Sequence, residues 1–234
     1  MRSKPAFCFT TNFGIQIMRL VFFDLETGGL DPLNHPIIQI AAIAVDEQLR
    51  EIEVFERKID FDTDTADPEA LTKNSYNLEL WVEESRPARS VCSELSAFFK
   101  RFADLEMISK AGRPYRVAQL IGHNADSFDG PFLQHWYRGM EQFMPAAFRT
   151  LCTYQKALHH FQDRPHLPKP ENFKVEGLCK YFGIPLTGAH DALVDCRATL
   201  WLYRSLRAVE YRIPPEMVDF SVPEMMTERE PAEA

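Results

Sequence analysis

The sequence predicts an α/β fold with a central five-stranded mixed sheet flanked by helices, and three features carry that prediction. A short apolar run, RLVFFDL at residues 19–25, turns acidic at its end and has the composition of a central strand buried on both faces. Two more strand-like runs follow it with only a short polar link between them, the spacing of antiparallel neighbours. Beyond them, segments with helical apolar spacing alternate with two short apolar runs, so the chain is not a repeated βαβ ribbon.

In chain order, Gly28 and Gly29 close the first strand. Pro36 introduces the second, IIQIAAIAV at 37–45, and EIEVFERKI at 51–59 alternates well enough to be the third. Pro68 opens a short helix that runs to Lys73, and a second short helix spans Leu78–Glu84. Ser90 caps a longer helix to about Met107, with Val91, Leu95, Phe98, Phe99 and Phe102 on one face. RVAQLIG at 116–122 is the fourth strand, and Ser127 to about Arg138 is helical. The fifth strand falls at Phe148–Leu151, followed by a helix to His160. The Pro-rich stretch QDRPHLPKP at 162–170 is a loop in which Arg164, His166 and Lys169 are solvated, and helices follow at Glu171–Phe182 and at about His190–Val209.

At 234 residues, with no break in composition, a single domain is expected over residues 18–212, preceded by an arm at 1–17 and followed by an acidic tail at 213–234. No apolar run approaches the length of a membrane span, and the start lacks the apolar core and small-residue site of a signal peptide. The five cysteines are scattered, odd in number and form no CxxC pair, which suits a reducing cytoplasm rather than a disulfide framework or a zinc site. A net charge of -8 is awkward for a protein that holds a polyanion, unless acidic residues bind cations. It favours a short grip on a strand end over a long track.

The candidate chemistry lies in three places. Asp24 and Glu26 are two positions apart, so a strand puts both carboxylates on the face of Leu20 and Phe22. Two acids leaving an apolar run are costly without cations or hydrogen bonds, although a solvated strand end would also explain the pair. Asp129, in HNADSFDGPFL at 123–133, shares a helical face with Phe132, Leu133 and Trp136, and a first-turn acid complementing the helix dipole is the structural alternative. In GAHDALVDCRATL at 188–200, Asp195 sits one turn inside a helix and His190 on its opening turn, where a capping or surface histidine would look the same.

Together, FDLETGGLDP at 23–32, GHNADSFDGPFL at 122–133 and HDALVD at 190–195 resemble the three motifs of the DEDDh exonucleases. That family includes the proofreading exonucleases of bacterial replicative polymerases, oligoribonucleases and three-prime repair exonucleases. The resemblance covers about residues 18–208 and implies a ribonuclease H-like fold and 3'→5' hydrolysis with release of nucleoside 5'-monophosphates. It implies two Mg²⁺ or Mn²⁺ ions held by Asp24, Glu26, Asp129 and Asp195, hard oxygen donors suited to such ions, with His190 as the base that accepts a proton from the attacking water. Thr27, Gly28, Gly29, Leu30, Asn124 and Phe128 are the expected substrate contacts, Leu30 as an apolar wedge against the terminal bases, and His123 is a structural partner in the second motif. Single-stranded DNA or a frayed 3' DNA end is the expected substrate, with RNA trimming as the alternative and an inactive nucleic-acid-binding subunit as a remoter one. No membrane partner is expected, and a homodimer and a polymerase association both stay open.

Overall fold

The structure, a computed structural model, describes residues 18–188, 190–214 and 217–221; the expected arm at 1–17 and most of the acidic tail lie outside the described residues. The chain opens with three antiparallel strands, β1 (Leu20–Thr27), β2 (Ile37–Val45) and β3 (Glu51–Asp60). Helices α1 (Pro68–Lys73) and α2 (Leu78–Glu84) follow, then the two-residue strand β4 (Arg86–Pro87) and helix α3 (Ala88–Arg101). A hairpin of β5 (Leu105–Ile108) and β6 (Pro114–Val117) precedes β7 (Gln119–Gly122), α4 (Asp129–Gly139) and β8 (Leu151–Cys152). Helices α5 (Thr153–Gln162), α6 (Val175–Phe182) and α7 (Ala192–Tyr211) complete the order.

The α/β class holds, with a mixed sheet of six strands rather than five, in the order β4-β3-β2-β1-β7-β8. The extra strand is β4, parallel to the end of β3 at the sheet edge; a two-residue strand containing a proline has no apolar pattern to announce it. β7 and β8 run parallel to β1, so the C-terminal ends of these three strands open on one edge of the sheet.

Alternation along β1 divides the core. Val21, Phe23 and Leu25 pack with Leu95, Phe98 and Phe99 of α3 and with Phe132 and Leu133 of α4. Phe22 points to the other face, into Ala41, Ile43 and residues of α5, α6 and α7 such as Ala157, Leu178, Cys196 and Leu200. All nine residues of β2 are buried, as a strand between two neighbours and under two helical layers must be.

Helix α3 starts at Ala88, with Pro87 rather than Ser90 at the N-cap, and four larger shifts of boundary have local reasons. Helix α3 stops at Arg101 instead of near Met107, because Asp104 is pinned by Arg19, accepting from its backbone N–H at 3.1 Å and its Nε at 2.8 Å, and the chain turns there into β5. The run at 116–122 is two strands: Ala118 leaves the hairpin to pair with Ala146, and only β7 joins the main sheet. The strand expected at Phe148–Leu151 is confined to Leu151–Cys152, since the carbonyls of Phe148 and Arg149 accept from the side chains of Gln134 and Gln119. Helix α6 begins at Val175, not Glu171: Asn172 accepts from the Lys174 N–H, and the Phe173 carbonyl is bonded to the His123 ring.

The four described cysteines, Cys92, Cys152, Cys179 and Cys196, are free thiols. Among the described residues no helix is long and apolar enough to cross a membrane.

Candidate active site

The carboxylates gather where β1 ends. Asp24 and Glu26 pair with Ala41 and Gln39 of β2, and the register shifts between Glu26 and Thr27, so a bulge re-aims the chain just past the second acid. Both acids fall on the face of Phe22, the face covered by α7, and α7 brings Asp195 to them. Ligand oxygens of Asp24, Glu26 and Asp195 all lie within 4.8 Å of one another. Asp129, the first residue of α4, completes the cluster from the other side of the sheet edge, with its carboxylate accepting from its own N–H and from that of Leu25.

Helix α7 owes its start to Asp191, whose side chain accepts from the N–H groups of Leu193 and Val194. Just before it, His190 has φ of 69°, a left-handed conformation, and its backbone N–H donates to Asp195 Oδ2 at 3.1 Å. That strained residue therefore fixes Asp195, and His190 itself lines the cleft.

The electrostatics are those of crowded carboxyl groups held out of water. Burial, followed by the charges of Asp129, Glu26, Asp195 and Asp191, pushes the Asp24 carboxyl well above its ordinary range. Burial, with Asp195, Asp191 and Asp129, raises Glu26 to about 8, opposed by Lys73. Burial lifts Asp129 to about 7 against its two backbone donors, and it also raises Asp195, opposed by the His190 N–H. Glu26 and Asp129 are only 7% and 4% exposed, so water does little to relieve them. Carboxylates held this way, with no thiolate among them, suit hard divalent cations.

The cleft in front of the cluster has a volume of about 410 Å³, and a second cavity of about 490 Å³ adjoins it, the two sharing Lys73, His123, His190 and Asp195. Thr27, Gly29, Leu30 and Phe128 line the first, and Asn124 lines the second. Leu30 is 82% exposed, an apolar side chain displayed at the rim. Phe128 packs half-buried on Phe132, with ring centroids 5.0 Å apart. Gly28 stands apart from the other expected contacts: its N–H already donates to the Pro36 carbonyl at 2.8 Å and its carbonyl accepts from Asp67, so it ties the loop rather than facing the cleft. Gly29 has no room for a side chain, because a Cβ there would lie 2.4 Å from the His35 ring. His123 is a half-buried connector, bonded to Thr153 Oγ1 and the Phe173 carbonyl at 2.9 Å each, and desolvation of its ring holds it neutral with a pKa of about 4.

Four residues enter the site or brace it that their local sequence did not single out. Asp191 adds negative charge near Asp24 and Glu26, and Gln39 steadies it by donating to Asp191 Oδ2 at 3.2 Å. Lys73 supplies a cation to both cavities from the end of α1, and the neighbouring Asn74 donates to the Thr27 carbonyl at 2.9 Å. The N-cap position of Asp191, ahead of an apolar run, was the one readable signal; for Lys73 and Asn74 no periodic pattern connects α1 to β1. Arg164, His166 and Lys169 line neither cavity.

Comparison with known proteins bears on the fold that carries this arrangement. The family model described as Exonuclease matches residues 21–203. A DNA polymerase III PolC-type protein of Pediococcus pentosaceus is 29% identical over 215 residues, 91% of this chain but 13% of that protein, so the chain spans a small part of the curated relatives it matches. Among solved structures, an exonuclease I from Methylocaldum szegediense has a TM-score of 0.68 at 21% identity, covering 84% of this chain and 42% of the other. E. coli exonuclease I in complex with a dT13 oligonucleotide has a TM-score of 0.64 at 20% identity, covering 83% and 43%. The folds coincide, and the ribonuclease H-like architecture expected from the motifs is the one observed.

Proposed function

Since the chain belongs to the exonuclease family, we propose that it is a metal-dependent 3'→5' exonuclease that hydrolyses single-stranded or frayed DNA ends and releases nucleoside 5'-monophosphates. The observation that carries this reading is the trio of Asp24, Glu26 and Asp195 oxygens within 4.8 Å, with buried Asp129 beside them. Asp24, Glu26, Asp129 and Asp195 would hold two divalent ions, Mg²⁺ or Mn²⁺. Such ions, when bound, polarise a phosphodiester and favour ionisation of water at neutral pH. His190, which lines the cleft, would take the proton of the attacking water at a ring nitrogen. Thr27 and Gly29 border the terminal sugar and phosphate, Leu30 wedges against the terminal base, Phe128 lines the same cleft, and Asn124 lines the adjoining cavity.

The domain boundary that goes with this reading is residues 18–212, and a cytoplasmic setting fits its free thiols. Proofreading beside a polymerase, as the name of the Pediococcus relative suggests, and stand-alone removal of DNA ends are two settings for the same chemistry. The test is to offer matched DNA and RNA strands, linear and circular, with Mg²⁺, Mn²⁺ or chelator. Loss of label from 3'-labelled linear DNA before 5'-labelled DNA supports the proposal. Faster loss from RNA moves the assignment to an exoribonuclease, and cutting of the circle contradicts the exonuclease mechanism.

A further inference from the structure

The β5–β6 hairpin takes no part in the cleft and forms a two-stranded sheet of its own. Its turn is fixed: the Ser109 N–H donates to the Arg113 carbonyl at 2.9 Å, the Gly112 N–H to the Ser109 carbonyl at 2.8 Å and the Arg113 N–H to Ser109 Oγ at 3.0 Å. Lys110 and Arg113 are thus displayed by a pinned turn, and neither makes an ion pair among the described residues. With Tyr115, Arg116 and Phe143 they line an open concavity of about 480 Å³. Phe143 is 62% exposed although its ring meets Tyr115 edge-on, with centroids 6.0 Å apart. Arg116 is the most compensated of the cations, standing opposite Glu106 and acting on Asp104.

An open aromatic ring beside unpaired cations is the chemistry that holds single-stranded nucleic acid, bases stacking on the ring while the cations take phosphates. On a chain of net charge -8 such a patch is a local exception. The hairpin lies at the far end of α4, towards the N-terminal ends of β1 and β7 and away from the edge where the cleft opens. Helix α4 starts there at Asp129 and ends at Gly139, four residues before Phe143. Its 11 residues span about 16 Å at the helical rise of about 1.5 Å per residue, or about five nucleotides at a stacked spacing of about 3.4 Å.

We propose that this hairpin is a second contact for the strand whose 3' end enters the acidic cleft. It takes the segment about five or more nucleotides upstream, stacking a base on Phe143 and Tyr115 and holding phosphates with Lys110 and Arg113. The inference rests on the exonuclease reading of the cleft, and it removes the restriction to a short grip that the net charge suggested.

The test measures affinity, with Mg²⁺ present, for 5'-fluorescent single strands of about 4 and about 25 nucleotides that carry hydrolysis-resistant terminal linkages. The expected result for Lys110→Glu with Arg113→Glu is at least about tenfold weaker binding of the long strand and a salt dependence shallower by about 1.4, the value for two phosphates. Phe143→Ala should weaken the long strand about fivefold or more, and the short strand should bind all three proteins alike. Equal binding of the long strand by wild type and variants overturns the proposal, as does proportional weakening of both lengths. A loss on charge reversal with none for Phe143→Ala overturns the stacking platform. Hydrolysis of an unmodified short strand by the wild type is read separately, so failure of the exonuclease reading is distinguishable from failure of the hairpin site.

Discussion

Without divalent ions the fold should lose stability as pH rises from about 5 to about 8, the reverse of the usual carboxylate effect. Glu26 keeps its proton up to about 8 in the folded chain, against an ordinary 4.5, and Asp129 to about 7, against 3.8. Between those limits the folded chain binds more protons than the unfolded one, so the stability present at low pH is lost as pH rises towards the folded values. At about 1.36 kcal/mol per pH unit, Glu26 alone costs the ion-free fold up to about 5 kcal/mol once both states are ionised. Asp129 is raised by its own burial rather than by Glu26, so its cost acts in the same direction, and a fall of about 5 kcal/mol or more is expected for the cluster. That is a large share of a typical domain stability of about 5 to 15 kcal/mol. Urea unfolding at several pH values, in chelator and in Mn²⁺, measures it for the wild type and for Glu26→Gln, which removes one titrating carboxyl while keeping its shape. The wild type should weaken with pH in chelator, Mn²⁺ should restore most of the loss at high pH, and Glu26→Gln should be the flatter of the two. Rising or level stability of the ion-free wild type over this range would refute the reasoning, and so would an identical slope in Glu26→Gln.

His190→Asn should retain Mn²⁺ affinity by calorimetry while kcat falls about 10²- to 10⁴-fold; asparagine is the chosen replacement because it tolerates the left-handed backbone at 69°. Loss of metal binding in a folded His190→Asn protein would make His190 a ligand instead. Gly29→Ala should lower stability by roughly 1 to 3 kcal/mol in thermal melts and raise KM, since the new Cβ displaces a His35 ring whose Nδ1 accepts from the Asp31 N–H at 3.1 Å. An unchanged melt and KM would show that the loop yields freely.

The central strands and the Asp24–Glu26 pair were legible because both follow from short periods, whereas the grouping of Asp129, His190 and Asp195 with that pair came from the resemblance of the three motifs. A period of two put Asp24 and Glu26 on the face of Phe22, and that face is where α7 packs. The residues that stayed hidden depend on contacts distant in sequence. Asn74 reaches Thr27 across 47 positions and Gln39 reaches Asp191 across 152. Segment ends were lost for a related reason: Asp104 is held by Arg19, 85 residues away, and Phe173 by His123, 50 away, and neither pairing leaves a mark in local periodicity. The hairpin was hidden in the apparent continuity of α3 into Met107 and of β6 into β7.

The most direct measurement is a time course on 5'-labelled single-stranded DNA with Mn²⁺, comparing wild type with Asp24→Asn. Asp24 is the acid most affected by its companions, and its oxygens lie within 4.8 Å of those of Glu26 and Asp195. The wild type should produce a ladder that shortens one nucleotide at a time from the 3' end, abolished by chelator, and Asp24→Asn should be inactive while remaining folded. A ladder in chelator, first products from mid-strand, or an Asp24→Asn protein as active as the wild type would contradict metal-dependent 3'→5' hydrolysis at this cluster.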